Sequence, residues 1–444
     1  MKMTVIGCGH LGATHAAAMA SMGHDVLGVD IDEDKVRLLN SGKAWFHEPE
    51  LDAMLEETID AGQLRFTTDF TEAAAFGPVH FIGVATPGRA DGSYDLSQVY
   101  SALSSLVVHL SSGALIVGKS TVPPGTAAAL QKLAGQLARE HGATEPEVAW
   151  NPEFLREGCA VRDTLEPDRI VVGAASEAAV ATLKAVYQPQ IDAGIPFLAM
   201  DLPTAELVKG AANAFLAAKI SFINAMADVC TATGGNITHL ARSLGLDPRI
   251  GSAFLRAGIG YGGACLPKDV RGLASFADSV GAANAVNLLQ AVNEVNEARR
   301  DQILDLVRTA LDGVETKRIA VWGAAFKPNT DDVRDSPGLQ LASLLHGLGA
   351  HVTVYDPMAM DNALDASPDL GYAESASAAA ANADALVVVT AWPEFADVAP
   401  EEVARVTTGR VIVDACQGVD TARWRKAGWH TASLTARLTA DANE

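Results

Sequence analysis

Short apolar runs rich in β-branched residues alternate with alanine-rich stretches of helical period over the first two hundred residues. The runs are Thr4-Val5-Ile6, Val26-Leu27-Gly28-Val29, His80-Phe81-Ile82-Gly83-Val84, Leu115-Ile116-Val117-Gly118 and Ile170-Val171-Val172. Such alternation predicts βαβ units and a mostly parallel sheet. Between residues 203 and 300 the strand signals vanish: one helix starts at Thr204-Ala205-Glu206-Leu207 after Pro203, and a second occupies the Asn287–Arg300 region. From about residue 316 the first pattern returns in Arg318–Gly323, Val352–Pro357, Ala385–Thr390 and Val411–Asp414, so the second half reads as a degenerate copy of the first. The expected fold class is α/β, with two doubly wound parallel-sheet domains (1–202 and 301–444) joined by a long central helical connector (203–300).

Length agrees with that division, because 444 residues exceed the ~250–300 at which single cores stop growing. The formal net charge of −21 argues against nonspecific attraction to nucleic acid or acidic lipid, which needs basic patches. A phosphate-bearing ligand must then be held by a few local cations and helix N-termini. The five cysteines, Cys8, Cys159, Cys230, Cys265 and Cys416, are scattered, with no CxxC pair and no histidines at ligand spacing, which suits a reducing cytosol and no metal site. The chain enters an apolar strand at Met3 without a signal-peptide pattern. No apolar run is expected to cross a bilayer, so a soluble cytoplasmic protein without membrane or nucleic-acid partners is expected. Residues Ala436–Glu444 read as a solvated tail.

Directly after the first strand run stands Gly7-Cys8-Gly9-His10-Leu11-Gly12, followed by an alanine-rich helix and by Val26–Asp30. Three glycines at this spacing allow a tight turn, close approach of backbone to a pyrophosphate, and packing of helix on strand. Asp30 closes the second strand where a ribose-binding carboxylate belongs, and its charge repels a 2′-phosphate, so NAD is favoured over NADP. The first domain is therefore Rossmann-like. Val84-Ala85-Thr86-Pro87-Gly88 and Lys119-Ser120-Thr121-Val122-Pro123-Pro124-Gly125-Thr126 put hydroxyls and rigid prolines where the nicotinamide is expected.

Chemistry is concentrated in three other segments. Gly258-Ile259-Gly260-Tyr261-Gly262-Gly263-Ala264-Cys265-Leu266-Pro267-Lys268-Asp269 sets a thiol in a glycine-rich loop beside a cation and a carboxylate, the setting of a covalent nucleophile. Asn151-Pro152-Glu153-Phe154-Leu155-Arg156-Glu157-Gly158 supplies two carboxylates, either of which could act as a base. Glu206, Lys209 and Asn213 share one face of the connector helix, where Lys209 and Asn213 would suit a developing oxyanion.

Together the motifs GCGHLG, VATP, STVPPGT, NPEFLREG, AELVKGAANAFLAAKISFIN, DPRIGSAFLRAGIGYGGACLPKD and WGAAFKPNTDDVRDSP resemble the nucleotide-sugar dehydrogenase (UDP-glucose/GDP-mannose dehydrogenase) family over almost the whole chain. The resemblance implies oxidation of a sugar-nucleotide primary alcohol to a carboxylate in two NAD-dependent steps. It makes Cys265 the nucleophile that forms a thiohemiacetal and then a thioester. Lys209 and Asn213 would hold the sugar oxygen, Asp269 would aid alcohol deprotonation, and Glu153 would act in thioester hydrolysis with Thr121. Around the cofactor it implies Gly7, Gly9, His10, Leu11, Gly12, Asp30, Lys35, Thr86, Pro87, Ser120, Thr121, Glu157, Lys268 and Arg334. For the substrate it points to Glu153 through Glu157, that is Glu153, Phe154, Leu155, Arg156 and Glu157. It adds the run with Arg256, Gly258, Gly260, Tyr261 and Gly262, then Phe326 and Lys327, and an Arg249 that reaches across a homodimer interface.

His10-Leu11 stand where the family often has an aromatic residue and valine. Gly323-Ala324-Ala325-Phe326-Lys327 lacks the full glycine set, so no second NAD site is expected. The motifs look more like the branch acting on UDP-glucose, with GDP-mannose, N-acetylated UDP-hexosamines and dTDP-glucose as alternatives. A two-electron hydroxyacid-type dehydrogenase and a catalytically dead nucleotide-sugar sensor are the readings of other kinds.

Overall fold

The computed structural model describes residues 1–111 and 113–434; the expected tail Ala436–Glu444 lies outside them. The chain divides into two units, Met1–Ala212 and the remainder from Asn213, each built on its own sheet.

The first sheet contains β1 (Lys2–Ile6), β2 (Asp25–Val29), β3 (Leu64–Thr67), β4 (Val79–Ile82), β5 (Leu115–Gly118), β6 (Glu147–Trp150), β7 (Ile170–Gly173) and β8 (Phe197–Met200), in the order β3-β2-β1-β4-β5-β6-β7-β8. All neighbours are parallel except β6 and β7, which meet antiparallel at Trp150 and Gly173. Successive residues feed opposite apolar layers, Val26 one and Leu27 the other, and both layers are covered by helices. Burial on both faces is why these strands read as unbroken apolar runs.

The second sheet contains β9 (Arg318–Trp322), β10 (His351–Tyr355), β11 (Gly371–Tyr372), β12 (Ala385–Val388), β13 (Val411–Asp414) and β14 (His430–Ser433), ordered β11-β10-β9-β12-β13-β14 and parallel throughout. Its order repeats that of the first six strands of the first sheet, so the copied pattern in the sequence is a copied topology. The order reverses beside β1 and beside β9, and ligands of such sheets bind at strand carboxyl ends next to that reversal.

Between the sheets the described residues are helical or irregular, as expected of a connector: Leu202–Thr233, Ile237–Gly245, Leu266–Ser279 and Ala283–Leu311. Helix Leu202–Thr233, with 32 residues, is long and apolar enough by length and composition to cross a membrane. This corrects the expectation that no such run exists, which overlooked how few charges interrupt residues 210–233. Five of its polar members, Glu206, Lys209, Asn213, Ser221 and Asn224, are buried along one stripe, whereas Asp228 is exposed.

Candidate active site

Gly7 turns the chain with φ +89°, and a Cβ on Gly12 would overlap the Gly7 carbonyl, while a Cβ on Gly9 would meet nothing within 4 Å. The first glycine makes the turn, the third lets helix His10–Ser21 pack on β1, and the middle one leaves an open approach. Gly9 caps that helix without a side-chain hydrogen bond, so the helix N-terminus offers backbone donors to an anion. Asp30 at the end of β2 accepts from Cys8 N at 2.8 Å and from Asp32 N at 3.1 Å, which pins the carboxylate beside the turn. These features fit a dinucleotide. Cys8 itself is no nucleophile: burial first, and the Asp30 charge second, push its thiol upward.

His10 opens the helix and donates toward Glu48, at 2.7 Å from Nε2, with Glu157 at 3.6 Å from Nδ1. Glu48 also accepts from Gly158 N at 2.7 Å and Ala160 N at 2.6 Å, so a buried carboxylate staples the dinucleotide turn to the Glu157 segment. Leu11 packs near Gly83. Lys35 lies over the Trp45 ring at 4.8 Å, with Asp32 at 3.7 Å.

The hydroxyls at the strand exits tie those exits together. Thr86 Oγ1 donates to Thr121 O at 2.8 Å and Ser120 Oγ to Val84 O at 2.5 Å. Pro87 O receives Asp95 N, and Thr121 is buried. From β6 the chain delivers Glu153, whose Oε1 stands 3.0 Å from the buried Lys209 Nζ. Its Oε2 is buried without a hydrogen-bond partner among the described residues. Phe154 carries the Arg169 guanidinium over its ring at 4.0 Å and Lys209 Nζ at 5.8 Å. Leu155 lines a small cavity, and Arg156 forks onto Asp163 at 2.8 and 2.7 Å. Glu206, on the same helix face as Lys209, caps helix Thr126–His141 by accepting Ala127 N at 2.5 Å and Gly125 N at 2.7 Å. Its carboxylate thereby serves as a structural cap.

In the second unit Cys265 is exposed and forms the N-cap of helix Leu266–Ser279, where the helix dipole favours negative charge. One turn in, the fully buried Asp269 receives Asn213 Nδ2 at 2.6 Å and Lys268 Nζ at 2.6 Å. An exposed thiol and a buried carboxylate held by a cation and an amide thus stand within one turn of the same helix. The preceding loop is held by residues that sequence reasoning passed over. Asn224 Oδ1 accepts Gly258 N at 2.8 Å, Arg299 Nε donates to Gly258 O at 3.2 Å, and Asn296 brackets Tyr261 through its N (2.7 Å) and O (3.0 Å). Gly260, at φ +106°, cannot be replaced, because a Cβ would strike Asn296.

Gly263 N donates to Arg334 O at 2.9 Å and packs on the Phe326 ring, Lys327 Nζ lies 5.5 Å from that ring, and Gly262 packs on the Asp335 carbonyl. Arg256 bonds the Gln417 carbonyl. Arg334 forks onto Asp332 within 2.8–3.0 Å, and the exposed Arg249 onto Asp247.

Comparison with known proteins gives these features a family. Models of the UDP-glucose/GDP-mannose dehydrogenase family match residues 1–191 (NAD binding domain), 203–298 (central domain) and 320–421 (UDP binding domain). The chain is 42% identical over 432 residues to the UDP-glucose 6-dehydrogenase AglM of Haloferax volcanii, covering 95% of this chain and 99% of that one. It is 42% identical over 399 residues to the UDP-glucose 6-dehydrogenase of Rhizobium meliloti, covering 89% and 90%. Among solved structures it is similar to a UDP-glucose dehydrogenase from Pyrobaculum islandicum, with TM-score 0.90, 37% identity and coverage of 98% and 97%. It is also similar to a UDP-D-ManNAc dehydrogenase from Pyrococcus horikoshii, with TM-score 0.86, 27% identity and coverage of 98% and 99%. The chain belongs to the UDP-glucose/GDP-mannose dehydrogenase family and is an NAD-dependent dehydrogenase.

Proposed function

We propose that the protein oxidises UDP-glucose to UDP-glucuronate by four electrons, with Cys265 holding the sugar between two oxidations. The observation that carries this is the exposed Cys265 thiol at a helix N-terminus, one turn from the buried Asp269 that Asn213 and Lys268 hold. A simple alcohol oxidation needs only a base and a hydride acceptor, so a thiol so placed argues for an acyl stage. The Gly7–Gly12 turn and Asp30 would hold NAD, which would supply the hydride acceptor for both oxidations. Asp269 draws the proton from the primary alcohol, while Lys209 and Asn213 bind the oxygen on which charge develops. Cys265 adds to the aldehyde as a thiohemiacetal, the second oxidation leaves a thioester, and Glu153 with Thr121 activates the water that hydrolyses it. Phe154, Leu155, Arg156, Arg256, the Gly258–Gly262 run, Phe326 and Lys327 are assigned to the sugar nucleotide; Glu157, Lys35, Lys268 and Arg334 to supporting the cofactor.

A homodimer completes the proposal. Leu207, Phe215, Phe222 and Val229 are all exposed at near-heptad spacing along helix Leu202–Thr233, a stripe that a second copy would cover, and Arg249 is exposed for a partner's substrate. Phe222→Asp should yield monomers in sedimentation.

The decisive measurement is the ratio of NADH to sugar across UDP-glucose, GDP-mannose, dTDP-glucose and N-acetylated UDP-hexosamines. Two NADH per UDP-glucose, and loss of acid formation in Cys265→Ser, are expected. One NADH with a released aldehyde refutes the thioester route, and UDP-glucose among the poor substrates refutes the assigned sugar.

A further inference from the structure

Within the first unit a cavity of about 50 Å³ lies where β5 and β6 end, and its lining includes Lys119, Glu153, His15, Asn151, Tyr187 and Gln190. Lys119, the first residue after β5, is 7% exposed and belongs to none of the ion pairs among the described residues. Its Nζ donates to Asn151 Oδ1 at 2.8 Å and lies 3.5 Å from the Tyr187 hydroxyl, which itself donates to the same Asn151 oxygen at 2.5 Å. A buried ammonium satisfied only by neutral groups is costly, and folds rarely retain one without use. Three more side-chain atoms on this lining, Glu153 Oε2, His15 Nε2 and Gln190 Oε1, are buried without a hydrogen-bond partner among the described residues. Such atoms are few in native proteins and mark water or function. The volume suffices for a few water molecules, and the lining is polar enough to hold them.

We propose that this cavity is a water-filled proton relay behind Glu153, with Lys119 as the acceptor of the proton that Glu153 removes from the hydrolytic water. The proposal rests on the thioester route above. In that step the water oxygen bonds to the acyl carbon and the carbon–sulfur bond breaks. Of the two water protons, one remains with the departing Cys265 sulfur as a thiol and one passes to Glu153. Glu153 already commits Oε1 to Lys209, which leaves Oε2 for the cavity. From Glu153 the proton crosses cavity water to the neutral Lys119 amine and then leaves to solvent, while the product remains as a carboxylate.

The electrostatics suit a transfer in this direction. Burial pulls the Lys119 ammonium down to about 8, and the Glu153 charge acts against that pull. The Glu153 charge thus draws a proton toward Lys119, and its release from Lys119 to solvent returns the neutral amine for the next turnover. Other titratable groups around the cavity are His15, kept neutral by burial, and Tyr187, whose phenol burial pushes up. Asp163 and Arg169 complete the set and are engaged by Arg156 and the Phe154 ring.

Lys119→Met and Lys119→Arg test the relay, since an arginine keeps the charge but cannot surrender a proton. Steady-state kinetics, acid-quench mass spectrometry of Cys265 and the NADH-to-sugar ratio would be measured from pH 6 to 10. In the wild type, acyl-enzyme breakdown should rise with pH through about 8 as the amine becomes neutral. Both variants should lose that rise, slow breakdown by about tenfold or more, and accumulate acylated Cys265 with little change in either KM. Tyr187→Phe should shift the same rise and keeps the test open if the lysine variants fail to fold. Two NADH per sugar with an unaltered pH profile in folded variants overturns the relay and leaves the thioester route standing. One NADH per sugar and no acyl adduct in the wild type overturns both.

Discussion

Replacing His10 by Gln would remove a charge from the dinucleotide turn while leaving a donor for Glu48. Burial opposes protonation of His10, but the carboxylates of Glu157 and Glu48 outweigh it and raise the imidazole from 6.5 to about 9. At about 1.4 kcal/mol per pH unit, that rise is worth roughly 3 kcal/mol of stability. Because the folded value lies above the unfolded one, the contribution is fully present below about 6.5 and is lost as pH rises through about 9. Urea unfolding of the wild type and His10→Gln at pH 6 and pH 10 reads this directly. The wild type should exceed the variant by about 2–3 kcal/mol at pH 6 and match it at pH 10. An equal gap at both values would refute the electrostatic account and assign the loss to packing on Phe46, whose ring centroid lies 4.4 Å away. No gap at pH 6 would mean that the His10 charge beside Glu48 and Glu157 contributes nothing.

Three other substitutions probe the frame around the site. Gly12→Ala places a methyl group on the Gly7 carbonyl and should abolish NAD binding or soluble expression, checked by calorimetry on whatever protein folds. Asp30→Ala removes the carboxylate expected on the ribose and should raise the KM for NAD by about 10–100-fold, the equivalent of ~1.5–3 kcal/mol, while easing use of NADP. Glu206→Ala leaves Gly125 N and Ala127 N without their acceptor and should cost about 3 kcal/mol or more in thermal or urea unfolding.

The parts of the fold legible in the sequence are those whose cause is local. Central strands such as β1, β5, β9 and β12 are buried on both faces and announce themselves as apolar runs. The edge strands β8 and β11 are short and partly exposed, so they lack a pattern to read. The dinucleotide turn is legible because its causes are local: Gly7 takes a positive φ and Gly12 packs on the Gly7 carbonyl five residues before it. Glu48, Asn296 and Lys119 were not, because each acts on chain remote in sequence: Glu48 reaches His10 across 38 residues, Asn296 reaches Tyr261 across 35, and Lys119 reaches Asn151 across 32. The capping role of Glu206 was hidden for the same reason, since its shared face with Lys209 gives no hint of the Gly125 turn it caps.

The two sheets show how one topology can be opened or closed to an anion by the acid after its second strand. In the first unit Asp30 accepts Cys8 N from the glycine turn, and the helix N-terminus beyond it stays uncapped by side chains. In the second unit the equivalent Asp356, wholly buried after β10, accepts both Ala324 N and Ala325 N through Oδ2, together with Trp392 Nε1. The backbone donors that would face a pyrophosphate are thereby used up inside the protein. Loss of the glycine pattern at Gly323-Ala324-Ala325 is therefore coupled to burial of an acid, and the second turn has become a packing element. Beside that turn Phe326 closes on Gly263, so the degenerate copy packs on the loop that carries the exposed Cys265.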